Sequence, residues 1–241
     1  MLAGLGPCEQ LVAADVGAGT GISARALAGR GVSVIAVEPN AAMRDAAEPH
    51  ERIEWRAGTA EATGLAAASV GLVLCAQAFH WFRHREALAE FHRILRPGGR
   101  LALLWNSRDE TDPLTQGYAA AIRSVIGEHP ADTRAFDAGV VGADGRFTPP
   151  RLQTFAHAQE LDRDGLIGRA TSASYVPREG VELARLEAEL DLLWGRLRDG
   201  RGVVTMRYVT ELYLAESLAP FAQPVSGPRR RAQDGNRPRP S

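Results

Sequence analysis

The chain has 241 residues, of which 45% are apolar and 24% charged, a balance that excludes a disordered, collagen-like or coiled-coil protein. That length suits one domain with a sizeable core. A formal net charge of -1 leaves no overall field to gather nucleic acid or an anionic membrane, so the expected partner is a small molecule.

From Leu11 to Asn106, short runs rich in Val, Ile and Leu alternate with helical patterns, the rhythm of parallel strands joined by crossover helices. Strands are predicted over Leu11 to Val16, Val32 to Val37, Ile53 to Ala57, Val70 to Ala76 and Arg100 to Trp105. Helices are predicted near Ile22 to Arg30, Ala41 to Glu48 and Arg85 to Leu95. The last has Leu88, Phe91 and Leu95 on one stripe and is stopped by Pro97-Gly98-Gly99.

After Pro113 the pattern becomes a helix through Ile126, a Gly- and Asp-rich loop from Gly139 to Gly145, and a strand over Leu152 to Leu161. Leu183, Leu186, Leu190, Leu193 and Leu197 then mark a helix over Val181 to Arg198. Val203 to Leu214 reads as a last strand, expected to pair antiparallel at the sheet edge. Residues 1–225 form the expected domain, and 226–241, almost without apolar residues, read as a disordered tail.

All 28 basic residues are arginine, which indicates a GC-rich bacterial genome more than a chemistry. Cys8 and Cys75 lie far apart and offer neither zinc spacing nor a disulfide framework. With no secretory start and no long apolar run, the expected location is the cytoplasm.

The most informative segment is Val16-Gly17-Ala18-Gly19-Thr20-Gly21, which follows a strand and opens a helix. Glycines there let the backbone turn sharply and come close to a ligand at the carboxyl edge of the sheet. A dinucleotide fingerprint would place its third glycine at Ile22, which argues against a pyrophosphate on the helix N-terminus and against an NAD-dependent oxidoreductase. Glu38 ends the second strand 21 positions after Gly17, where a carboxylate accepts hydrogen bonds from two vicinal ribose hydroxyls. The pair points to a nucleoside ligand.

The segments ADVGAGTG (14–21), VIAVEPN (34–40), GTAEATGL (58–65), AQAFHWF (76–82) and LRPGGRLALLW (95–105) stand in the order found in class I S-adenosylmethionine-dependent methyltransferases, which this sequence resembles. The last two look like the small-molecule branch that includes trans-aconitate-type enzymes. The resemblance implies an open, mostly parallel, Rossmann-like seven-stranded sheet with helices on both faces and an antiparallel edge strand. It implies S-adenosylmethionine as cofactor, with Asp15, Gly17, Gly19 and Gly21 around the methionine portion and sulfonium, and Glu38 on the ribose. Thr59, Ala60 and Glu61 would lie along the adenine. Thr59 stands where many relatives have an aspartate, and a hydroxyl is the weaker acceptor. Relatives also carry a helix ahead of the first strand, so the N-terminal cover is expected to be short or missing, the site open and donor binding weak.

Methyl transfer is an in-line displacement, for which alignment in a dry site supplies much of the rate. A carboxylate acceptor needs no base at pH 7, whereas a hydroxyl or carbon acceptor needs one. His80, after the fourth strand, is the candidate catalytic base, with a loop-holding role as the alternative. Gln77 is expected to touch donor or substrate, and Trp81 and Tyr175 to contact the acceptor, whereas Phe79 reads as core. His80 and His84 lack a third ligand with metal spacing, so no metal is expected. The arginine-rich tail is explained by solvation, and no Asn- or Asp-Pro-Pro-Tyr segment of base-amine methylating families is present, so nucleic acid is not the expected acceptor. The rivals to a methyltransferase are the NAD-dependent enzyme and a degenerate domain that binds donor or protein without catalysis.

Overall fold

The computed structural model describes residues 1–127, 137–172 and 176–219. Seven strands form one sheet in the order β3-β2-β1-β4-β5-β7-β6. They are β1 (Val12–Val16), β2 (Ser33–Val37), β3 (Ile53–Arg56), β4 (Val70–Ala76), β5 (Leu95–Arg108), β6 (Arg151–Leu161) and β7 (Val204–Glu216). β1 to β5 pair in parallel, while β7 is antiparallel to both β5 and β6. The helices are α1 (Ile22–Ala28), α2 (Ala41–Asp45), α3 (His84–Ile94), α4 (Pro113–Ile126), α5 (Gly139–Ala143), α6 (Arg163–Thr171) and α7 (Val181–Leu197).

β4 reads as a continuous apolar run because both of its faces are covered. Along β1 the side chains alternate: Ala14 and Val16 join the layer containing Leu88, Phe91 and Ile94 of α3, and Ala13 joins the layer containing Ala24 and Leu27 of α1. Each fully buried Leu or Phe in these layers is worth about 1.5–3 kcal/mol. A third cluster joins α4, α6 and α7 to Val204, Met206 and Tyr208 of β7. There Gly117 of α4 admits α7, since a Cβ at that position would lie 2.5 Å from Leu193 Cδ1.

Helix starts follow side-chain chemistry. Asp112 accepts a hydrogen bond from the Thr115 N–H at 3.1 Å ahead of Pro113, and Asn40 and Asp162 cap α2 and α6 in the same manner. No helix among the described residues is long and apolar enough to cross a membrane.

Three expectations are corrected, and one helix is new. The last strand, β7, lies inside the sheet, and β6 is the edge, exposed on both faces up to Leu161. Order in the chain misled here, because a long connection brings β7 back between β5 and the earlier β6. Pro97-Gly98-Gly99 does not separate helix from strand: α3 passes at once into β5, and the three residues make an irregularity in its ladder, from Val70 opposite Leu95 to Leu72 opposite Arg100. The expected loop from Gly139 contains the short helix α5, whose Val141 is buried. α6 went unpredicted because only Leu166 and Ala170 are buried along it, too few for a visible stripe. The proposed tail at 226–241 and Tyr175 lie outside the described residues.

Candidate active site

The glycine turn closes over the ends of β1 and β2. Gly17 and Ala18 donate their N–H groups to the Val37 carbonyl at 2.9 and 3.2 Å. Gly17 has φ +73, and a Cβ there would lie 2.7 Å from Ala78 Cβ and 3.0 Å from Phe82 Cζ. Gly21, the N-cap of α1, has φ +84, and its Cβ would lie 2.8 Å from Trp55 Cζ2. Both conformation and space therefore demand glycine at these two positions.

Glu38 is only 7% exposed. Its Oε2 accepts the Gly19 N–H at 3.0 Å and its Oε1 the Asn40 N–H at 2.9 Å, and the Arg44 guanidinium donates to its carbonyl at 2.6 Å. Each carboxylate oxygen keeps acceptor capacity for a further donor, such as one of two neighbouring hydroxyls.

Asp15, two residues before the turn, is fully buried. Its Oδ2 accepts the Ser23 hydroxyl at 2.6 Å, while Oδ1 is buried without a hydrogen-bond partner among the described residues. Burial pushes its carboxyl up to about 6, against the opposing pull of the Ser23 hydroxyl and the Ala24 N–H. A buried carboxylate with unmet acceptor capacity suits a cationic ligand.

Thr59 and Ala62 exchange backbone hydrogen bonds at 3.2 Å, closing a turn around Ala60, which is buried. Burial pushes the Glu61 carboxyl up, but this is outweighed by hydrogen bonds, chiefly from the Arg83 N–H, at 2.9 Å, so its pKa lies below the usual range. Glu61 thereby ties the turn to the entry of α3. Thr63 reinforces the tie through the buried Glu90 carboxylate, which in turn pairs with Arg93 at 2.6 Å.

Gln77 follows β4 with φ +57, a strained conformation for a residue with a side chain. Its N–H donates to the Leu104 carbonyl at 2.8 Å and its Nε2 to the Asn106 carbonyl at 2.9 Å. A cavity of about 420 Å³ begins here, lined by Gln77 and His80 after β4, by Trp105 and Arg108 of β5, by Arg123 of α4 and by Arg169 of α6. Phe79 is fully buried, while Trp81 is 62% exposed and its ring tilts against His80 at 5.1 Å. His84 instead stacks on Phe79, ring centroids 4.6 Å apart. Among the described residues no group of three or more His, Cys, Asp or Glu side chains is placed to hold a metal ion.

Residues 14–103 match the methyltransferase domain family. An uncharacterized methyltransferase of Schizosaccharomyces pombe is 33% identical over 180 residues, 73% of this chain and 71% of that protein. The chain belongs to the class I S-adenosylmethionine-dependent methyltransferases. A second S. pombe protein, uncharacterized and methyltransferase-like, is 38% identical over 130 residues, 53% of this chain and 49% of the relative, so the match spans about half of that relative's length. A solved structure from Anaeromyxobacter dehalogenans, described as a candidate type II methyltransferase, superposes with a TM-score of 0.56 at 25% identity, covering 86% of this chain and 88% of the other.

The cofactor of this methyltransferase family is S-adenosylmethionine, and the residues present fit it: a turn that excludes side chains, an acid with spare acceptor capacity and a buried carboxylate with an unpartnered oxygen. Sequence reasoning missed Arg108, Arg123, Arg169 and Tyr208, all of which line the cavity. No signal marked them, because they stand on four different elements and every basic residue of the chain is arginine.

Proposed function

We propose that this chain transfers a methyl group from S-adenosylmethionine to a small organic acceptor seated in the cavity at the ends of β4 and β5, methylating a carboxylate or hydroxyl oxygen. One contact carries the reading: Gly17 packs against Ala78, whose neighbour Gln77 lines the cavity, so donor seat and acceptor space adjoin at a single peptide. When bound, the donor would supply an electrophilic methyl on its sulfonium, with a neutral thioether as the leaving group.

Glu38 would accept the ribose hydroxyls, Asp15 would offset the donor's positive charge, and the segment from Thr59 to Glu61 would flank the adenine. Glu61 would act there by holding the turn, since its carboxylate is engaged by Arg83. His80, at the donor end of the cavity, would take the proton from a hydroxyl acceptor. Gln77 would hold the bend after β4 through Asn106. Trp81, largely exposed and in ring contact with His80, suits the rim of the acceptor space. The aromatic run from Phe79 to Phe82 supports the small-molecule branch, and the near-neutral overall charge supports an acceptor other than nucleic acid.

Titration calorimetry with S-adenosylmethionine and, separately, with NAD tests the reading. Donor binding without NAD binding is expected, and NAD binding without donor binding would overturn it.

A further inference from the structure

The cavity wall carries an unbalanced charge. Arg108, Arg123 and Arg169 line it against one carboxylate, Glu110, in a protein whose overall charge is only -1. Four arginines elsewhere, Arg93, Arg146, Arg163 and Arg201, each meet a carboxylate at 2.5 to 2.6 Å. None of the three cavity arginines is in an ion pair among the described residues. Two of them are instead oriented by rings, Arg108 lying 4.8 Å from the centroid of Tyr118 and Arg169 lying 5.8 Å from that of Tyr208. Stacking occupies the face of a guanidinium and leaves its N–H edge available, the edge that meets carboxylate or phosphate oxygens in pairs.

Three guanidiniums drawn from β5, α4 and α6 converge on one concave space only because the sheet order brings those elements together. Clefts lined by one sign of charge focus the field and concentrate the opposite ion. Against a single carboxylate the arginines leave an excess of two positive charges.

Resting on the methyl-transfer reading, we infer that the acceptor is a small molecule bearing oxyanion groups, with about two negative charges to match the wall. Arg108, Arg123 and Arg169 hold those groups, and the reacting atom lies at the end lined by Gln77 and His80, beside the glycine turn. The shared chemistry is an oxyanion, supplied by a dicarboxylate or by a phosphate ester.

The test uses calorimetry on the full chain, with and without S-adenosylhomocysteine, and three probes: phthalate, phenyl phosphate and the neutral phthalamide. At least one anion should bind tenfold or more tightly than phthalamide, and the anion that does so identifies carboxylate or phosphate as the source. The Arg123→Gln/Arg169→Gln double variant, altered at two exposed positions, should lose that advantage while keeping its affinity for S-adenosylmethionine and its melting temperature. Arg108→Lys, which keeps the charge and loses the fork, should lose part of it. Equal binding of all three probes, no binding of either anion, or an anion preference that survives the double variant would overturn the inference. Failure of S-adenosylmethionine itself to bind the unaltered chain would instead strike the methyl-transfer reading, since the anion titrations without donor are read separately.

Discussion

Gly19 donates its backbone N–H to Glu38 Oε2 at 3.0 Å, so the turn after β1 and the acid after β2 form one hydrogen-bonded unit. The acid both orders the glycine turn and is held in place by it. Replacing Glu38 by Ala removes acceptor sites for donor hydroxyls, and hydrogen bonds to a charged group are worth about 1.5–3 kcal/mol. Affinity for S-adenosylmethionine should fall roughly 10- to 150-fold by calorimetry, with Glu38→Gln between the two. Unchanged affinity in Glu38→Ala would remove this residue from the donor seat.

Gly17 combines a left-handed backbone with a position where a Cβ would collide with Ala78. Gly17→Ala should destabilise the protein by about 1–3 kcal/mol and weaken donor binding together, because the same backbone serves both. Thermal melts and donor titrations check it. A full retention of both would show that the turn yields more readily than its packing indicates.

Asp15 makes stability depend on pH. Its carboxyl is pushed up to about 6 in the folded chain from an ordinary 3.8, so the stabilisation from its neutral form is fully present below 3.8 and lost as pH rises through about 6. The gap corresponds to roughly 3 kcal/mol. Asp15→Asn should therefore flatten this part of the stability profile and raise the melting temperature at pH 7.5, while lowering donor affinity. Because a bound cation favours the ionised carboxylate, donor affinity in the unaltered protein should weaken below about pH 6. Melts and titrations from pH 4.5 to 8 read both effects, and a variant with the same slope as the parent would contradict the assignment.

His80 lines the cavity beside Gln77. If it acts as a base, His80→Gln should lower kcat for a hydroxyl acceptor by about 10²- to 10⁴-fold and leave a carboxylate acceptor nearly unaffected. Equal losses with both acceptor types, alongside a lower melting temperature, would assign it to holding the loop.

Gly117 lets α4 and α7 approach, with Leu193 where a Cβ would stand. Gly117→Val should lower stability by about 1–3 kcal/mol through overpacking. Its melting temperature, measured beside that of Gly195→Ala, where a Cβ meets open space, separates this from a general helix effect.

What the sequence alone determined lies in short stretches of chain. The run Val70–Ala76 was assigned to its observed bounds, because a strand buried on both faces must be continuously apolar. The glycine turn and Glu38 were legible for a related reason, since a tight bend and a strand end each impose their residue types within a few positions. Tertiary structure decided what depends on distant partners. The edge position fell to β6 and not β7, because pairing between strands some 50 residues apart leaves no local mark on either. The cavity was equally hidden, since Arg108, Arg123 and Arg169 look like any other arginine in a chain without lysine. Only the order in which the sheet stacks its strands brings their guanidiniums to one wall, and that order is set by the summed burial of three separate cores.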